Sequence, residues 1–491
     1  MVPEHSDRPV RRLVLVAGLA TVAFGVALAL GWEPGIPGEW VWRGNALPVR
    51  LLPALLAGIA LVLLSGIACL PPKWDRMRPA ARAASLAALV VVVFLLQCAM
   101  LNALGAPWVA PGAIIASPPA TTYFSVSLDV HRPADWIASY PELMPQLPHH
   151  APTHPPGFVL LFLLVRRLCA SLISQPTPGM AAAAEMYADA FGIGLTPSDA
   201  AAAMVGALVV ALLGALGLVP LYFLARHLSG PRAAICASFM AASMPGLLLL
   251  GASPDLIIMA LAITALCLGY SAWRSGSLIC AFLAGLAVAA GLFFSLAFAL
   301  VGAWALLWMA LGVLGSKDRP AALRRLLGGG VFVLSGFVLF YAALYFIWEY
   351  RPIAVVQQAF LAHRDVTTVA FPRTYWKWVL MNPIECALFV GLPVCLAAIW
   401  SRAGLSHHPY SGRLKQSLLS WLIILALLDL SGAVRGEVGR IWLFLLWPTA
   451  VAGGAWLATR SQRAGVAAIL VLLQVAQAIL MRGYLTIYSI L

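Results

Sequence analysis

Apolar runs of roughly 18–25 residues recur along the whole chain, separated by short polar breaks. About 20 apolar residues in a helix cross the ~30 Å hydrocarbon core of a bilayer, so each run reads as a transmembrane span. The pattern predicts spans over 13–32, 51–70, 84–104, 200–225, 232–250, 255–273, 277–293, 295–315, 326–348, 379–400, 417–433, 441–458 and 464–481. The expected fold is therefore an all-α polytopic bundle of about thirteen spans. The stretch 157–174 is also apolar, but Arg166 and Arg167 interrupt it in the middle.

Charge orients the bundle. With the N-terminus inside, the inner loops hold nineteen of the 31 Lys and Arg residues, among them Arg8, Lys73, Arg76, Arg226, Arg274, Lys317, Arg402, Arg413 and Arg463. That is the positive-inside bias of short loops. It is kept only if 157–174 does not cross, because the loop 175–199 has no Lys or Arg and carries Glu185, Asp189 and Asp199. So 105–199 is expected to be one long extracytoplasmic excursion. Residues 157–174 would lie in it as an interfacial helix with snorkelling arginines. The run 13–32 follows "RPVRRL" without a small-x-small cleavage site, and reads as a retained anchor.

The composition agrees: 62% of residues are hydrophobic and 10% charged, with mean hydropathy +0.93. Cationic loops of a membrane protein account for the net charge of +13, so nucleic-acid binding is not expected. The eight cysteines lie in or beside apolar runs and form no CxxC pair, which argues against disulfides and a cysteine-bound metal.

Ionisable groups in apolar runs are costly and mark function by default. Asp255 ("SPDLII"), Glu385 ("NPIECALF") and Asp429 ("LLDLSG") all fall near the outer ends of their spans, not at mid-membrane. A coupled transporter needs such groups near the bilayer centre, whereas an enzyme acting on a lipid headgroup needs them at the surface. The outer loops add His363, Arg364, Asp365, Arg373, Tyr375 and Lys377, then Arg435, Glu437 and Arg440. Arginine's planar fork suits phosphate, although these last three residues could also simply pair with one another. The first outer loop, with Glu39, Trp40 and Trp42, reads as a turn with interfacial aromatics.

The long excursion supplies Tyr123, Asp129, His131, Arg132, Asp135, Glu142, His149, His150 and His154. Carboxylates or histidines there are candidate general bases. In "PHHAPTHPPGFVLLF", His150 and His154 have the i, i+4 spacing of a helical metal pair, but Pro152 lies between them and disfavours a helix. Pro155 and Pro156 suit the entry to the helix that follows.

The strings "YPELMPQLPHHAPTHPPG", "RTYWKWVLMNPIECALFVGLP" and "RGEVGRIWLFLLWP", with a long outer loop before paired spans, resemble the GT-C superfamily of integral-membrane glycosyltransferases. That superfamily includes protein O-mannosyltransferases and aminoarabinose transferases. The resemblance covers roughly 84–450. It sets off 1–83 as a two-span extension, 84–458 as the catalytic module and 459–491 as a C-terminal span and tail.

The resemblance implies transfer of a sugar from a polyprenyl-phosphate donor to a lipid, glycan or protein acceptor, with inversion, at the outer face of a bacterial cytoplasmic membrane. It implies a carboxylate base, here Asp129 or Asp135, and a second acid, matched by Asp255 in "SPD". The family's "DE…Y" string is replaced by "SPPATTYF". His150 and His154 would line the site, with Tyr123, His363, Arg373, Arg435, Glu437 and Arg440 binding substrate. No cofactor or metal ligand set is legible, and a divalent cation stays open. The alternatives are a lipid-linked glycan flippase or transporter and an outer-face glycan ligase or polymerase.

Overall fold

The computed structural model describes residues 7–45, 49–69, 78–103, 109–365, 373–401, 411–460 and 464–488. The loops holding Lys73, Arg76, Arg402 and Arg463, and the side chain of Asp365, lie outside them. The described chain is helical apart from one two-residue ribbon, Gly35–Ile36 against Trp40–Val41, and an isolated bridge between Gly44 and Leu485.

Among the described residues, eight helices are long and apolar enough to cross a membrane, or nine if one bent pair is a single span. The chain is thus a multi-pass membrane protein. The expected count of thirteen is not recovered as thirteen long helices. The helices Leu52–Ala68 and Leu278–Phe294 are apolar but short. The expected span 232–250 breaks at Pro245 into Pro231–Ala242 and Pro245–Leu249, because proline supplies no amide to the helix before it. The expected span 379–400 is the bent pair, Tyr375–Val390 and Leu392–Ser401, which turn by 104° about Gly391.

Such a break exposes backbone groups where no water can satisfy them. The helix Ala464–Tyr484 supplies the partners. Gln474 Nε2 donates to Val390 O at 3.0 Å, Gln477 Nε2 donates to Leu388 O at 2.9 Å, and Leu392 N donates to Gln477 Oε1 at 2.9 Å. Outward faces are apolar: Val331, Leu334, Val338 and Phe346 on the helix Arg319–Trp348 are all exposed, which suits a lipid solvent.

Residues 157–172 form a helix that carries Arg166 and Arg167. The expected snorkelling is corrected for Arg166, whose Nε lies 2.8 Å from Asp199 Oδ1 in a mostly buried ion pair. Asp199 belongs to a capping box with Thr196 at the start of the helix Pro197–Leu216, so its carboxylate is already fixed there. Arg166 also donates to Ser127 O, and Arg167 to His131 O at 2.9 Å. The "PPG" entry of this helix packs so closely on Phe293 that a Cβ at Gly157 would stand 2.5 Å from its carbonyl oxygen.

Helix direction sorts the loops to two ends. Contacts such as Trp42–Glu385, Ala252–Tyr488, Arg351–Glu142 and Thr374–Glu39 gather one set. Arg226, Arg274 and Arg413 gather with His227 at the other. The first two helices, expected as an extension, pack on Ala464–Tyr484, and the loop between them reaches the first of these ends.

Candidate functional site

The site is built by loops that are far apart in sequence, and its outer wall begins at Glu39. The Glu39 carboxylate accepts from Thr374 N at 2.8 Å, Thr374 Oγ1 at 2.6 Å, Trp378 Nε1 at 2.8 Å and Lys377 Nζ at 3.0 Å. Burial alone would raise its pKa, but these four donors outweigh it and hold the carboxyl at about 2. Glu39 thereby caps the first turn of the helix Tyr375–Val390, where backbone amides lack helical partners.

That helix in turn fixes the loop 432–440. Asn382 Nδ2 donates to Asp429 Oδ1 at 2.9 Å and to Val434 O at 3.1 Å, and its Oδ1 accepts from Gly436 N at 3.1 Å. Glu385 Oε1 accepts from Gly439 N at 3.0 Å and Trp42 Nε1 at 3.2 Å. Two of the three acids singled out in the apolar runs, Glu385 and Asp429, thus hold this loop in place.

Arg373 and Arg435 sit on the same wall. The Arg373 guanidinium lies over the neighbouring rings of Trp40 and Trp378, at 5.6 and 5.5 Å, the two rings being 6.3 Å apart. It donates to Arg435 O and to Glu437 Oε1, the latter at 3.3 Å. Arg435 returns a bond to Arg373 O at 2.7 Å, donates to Gly432 O at 3.1 Å and lies over Tyr375. Both arginines therefore staple the wall through backbone carbonyls. The approach is close at Gly436 (φ +83°), where a Cβ would stand 2.8 Å from Trp378.

At the centre lie Arg440, Glu437 and Asp255. Arg440 bonds Glu437 Oε2 at 3.0 Å and reaches Asp255 Oδ2 at 3.7 Å. Asp255 opens the helix Asp255–Ser275 and accepts from Ser253 Oγ at 2.6 Å. Burial would raise the Glu437 carboxyl, but Arg440 and then Arg373 hold it below the usual range. Glu437 has φ +59°, a left-handed conformation that costs a non-glycine residue energy and that surrounding contacts must enforce.

The long loop brings the histidines to the same place. Thr122 and His149 also have positive φ (64° and 49°), and His150 N donates to Thr122 Oγ1 at 3.4 Å across this fold-back. Tyr140 Oη donates to His154 O at 2.8 Å. His154 Nδ1 lies 3.0 Å from His150 O and 2.9 Å from Thr153 Oγ1. A carbonyl accepts only, so Nδ1 carries the proton and Nε2 keeps its lone pair in the neutral ring.

Desolvation, then Arg440 and His154, lower the His150 pKa to about 4. His154 is lowered chiefly by desolvation, against the raising effects of its bond to His150 O and of Asp255. His363, at the end of the helix Pro352–Asp365, is within electrostatic reach of His154. Tyr123 packs against His154 at 5.6 Å, and its phenol is raised by burial and by Asp255.

The structure thus brings together Tyr123, His150, His154, Asp255, Glu437 and Arg440, with Arg373, Arg435 and His363 around them. Asp129 and Asp135 stand apart. Both are exposed, and Asp135 faces Arg132 at 3.8 Å. Among the described residues no three His, Cys, Asp or Glu side chains form a metal-holding group, and both central carboxylates are engaged by Arg440.

Tyr488 and Arg482 escaped the sequence reading. Tyr488 Oη accepts from Ala252 N at 3.1 Å and is within electrostatic reach of Asp255, Arg440 and Arg482. Arg482 is 1% exposed, and none of its three guanidinium nitrogens has a hydrogen-bond partner. A span end at 481 excluded it by one residue. Counting it as membrane-embedded would have flagged it.

No family model matches the chain, and no curated protein matches it in sequence. The structure is similar to the crystal structure of an Archaeoglobus fulgidus oligosaccharyltransferase in complex with zinc and sulfate, at 15% identity and a TM-score of 0.39. The match covers 81% of this chain and 53% of that one, so the chain spans about half of that protein's length. Likeness at this level assigns neither activity nor substrate.

Proposed function

We propose that this chain is a membrane glycosyltransferase that moves a sugar from a polyprenyl-phosphate donor to an acceptor hydroxyl or amine at the extracytoplasmic face of a bacterial cytoplasmic membrane. One observation carries the reading. An acid, an arginine and two neutral histidines meet at the end of the bundle opposite the arginine-rich loops. The positive-inside rule supports reading that end as the outer one. The motif resemblance to the GT-C superfamily points the same way.

In this reading Asp255 is the base, and Asp129 and Asp135 are too exposed to serve as one. The carboxylate of Asp255 takes the acceptor proton as the acceptor atom attacks the anomeric carbon. The bond from that carbon to the phosphate oxygen breaks, and its electron pair leaves on polyprenyl phosphate. Arg440 meets the added negative charge. Neutral His154 Nε2 accepts a hydrogen bond from a sugar or acceptor hydroxyl. Glu437, fixed by Arg373, aims Arg440. The staple role of Arg373 and Arg435 makes them positioning residues.

A flippase would line a path through the bilayer with polar groups, whereas these groups collect at one end. The discriminating experiment offers purified protein polyprenyl-phosphate sugars and a pool of acceptors in detergent. Release of free polyprenyl phosphate with a new glycoside supports the proposal. Movement of intact donor across proteoliposomes without bond cleavage contradicts it.

A further inference from the structure

The opposite end of the bundle carries a second polar feature. The helices Asp255–Ser275, Ala299–Leu314 and Ser411–Ser431 enclose a cavity of about 130 Å³ there. Its lining includes Tyr270, Trp273, Arg274, Trp308, Arg413 and Gln416, and no acidic side chain. Arg274 lies in the last turn of its helix and Arg413 near the start of the next wall's helix, so the cavity sits where the apolar segments end.

Tyr270 and Trp308 stack at 4.7 Å with their planes 14° apart, making one rigid wall, and Tyr270 is within electrostatic reach of Arg274 and Arg413. His227 is within electrostatic reach of Arg274, Arg226 and Arg413. Among the described residues no ion pair joins Arg274 to an acid. Two guanidiniums from separate helices facing one cavity that no acidic side chain lines set up a positive potential there, which attracts an anion.

We propose that the Arg274–Arg413 cavity binds a phosphate anion, namely the headgroup phosphate of an anionic phospholipid. Three features favour the lipid. The cavity is at headgroup depth, its walls are aromatic as at a membrane interface, and the end it occupies is the basic one. The arginines grip the phosphate, while the half-buried Trp273 flanks the upper acyl chain. This site lies at the far end from the Asp255 cluster and does not depend on the glycosyltransferase reading.

The test uses the full chain in nanodiscs of phosphatidylcholine with and without phosphatidylglycerol, read by native mass spectrometry of retained lipid. Wild type should retain phosphatidylglycerol over phosphatidylcholine. Each arginine contributes about fivefold, so Arg274→Gln should weaken retention about fivefold and Arg274→Gln/Arg413→Gln roughly thirtyfold. Arg274 is exposed, so the single variant carries the test if the double variant does not fold. A second arm titrates inorganic phosphate onto lipid-depleted protein. Arginine-dependent phosphate binding without lipid selectivity would reassign the site to a soluble phosphate and overturn the lipid assignment. Equal retention of the two lipids by wild type, or equal phosphatidylglycerol retention in wild type and Arg274→Gln, would overturn the proposal.

Discussion

Replacing Glu39 with Gln tests whether the first loop holds the site together. The side chain is 12% exposed and accepts four hydrogen bonds. Gln keeps the shape but turns an amide NH2, itself a donor, toward donors. In the wild type Thr374 N and Trp378 Nε1 share Oε2, and Thr374 Oγ1 and Lys377 Nζ share Oε1. Either orientation of the Gln amide therefore sets its NH2 against two of these donors, and an unsatisfied buried donor costs about 1–3 kcal/mol. The carboxyl gives an independent magnitude. It titrates near 2, against an ordinary 4.5, and at about 1.4 kcal/mol per unit that contributes roughly 3 kcal/mol at neutral pH.

The folded value is depressed, so this stabilisation is complete above about pH 4.5 and is lost as pH falls towards about 2. Reversible unfolding in mixed micelles should place Glu39→Gln about 3 kcal/mol below wild type at pH 7, with more than half of that gap gone by about pH 3. Transfer activity should fall as well, because Glu39 holds the helix that holds the loop of Arg440. A gap under about 1 kcal/mol at pH 7, or one that does not change with pH, would refute the clamp.

Two further outcomes follow from the site and its side of the membrane. The His150 imidazole titrates near 4 in the fold, below the ordinary 6.5, so the unfolded chain binds the extra proton between these values. Stability should fall as pH drops from about 6.5 to 4 in wild type, and this slope should shrink in His150→Gln; an unchanged slope counts against a buried neutral ring. Glu185→Cys in the exposed helix Pro178–Phe191 should react with a membrane-impermeant thiol reagent from outside whole cells, and Ser316→Cys should not. Labelling of the Glu185→Cys variant only after the cytoplasmic side is opened would reverse the assigned orientation.

The helical, membrane-crossing class was legible because apolar run length is a local property. The loop charges likewise separated the two ends; Asp255 was legible as an acid at the edge of an apolar run, and His150, His154, Glu437 and Arg440 as polar groups of the loops. Their neighbours were not. Trp42 meets Glu385 across 343 residues, and Tyr488 meets Ala252 across 236, and no local pattern encodes such pairings. Glu39 read as a turn residue because the four donors it accepts from belong to Thr374, Lys377 and Trp378, far along the chain. The broken spans were missed because Gly391 and Pro245 sit in runs whose hydropathy never dips, and the glutamines that repair the first break lie on another helix. Asp129 and Asp135 drew attention as the next acids along the chain, but strained turns at Thr122 and His149 fold the loop so that His150 and His154 face inward instead.

The most direct test of the account compares turnover of a polyprenyl-phosphate sugar by wild type, Asp255→Asn and Asp129→Asn, each first shown to unfold at the same denaturant concentration. Loss of a general base lowers the rate by about 10²–10⁴, so Asp255→Asn should fall by at least about a hundredfold, with Asp129→Asn within a few-fold of wild type. Turnover by Asp255→Asn equal to wild type, or a hundredfold loss in Asp129→Asn alone, would contradict a reaction centred on Asp255 and Arg440.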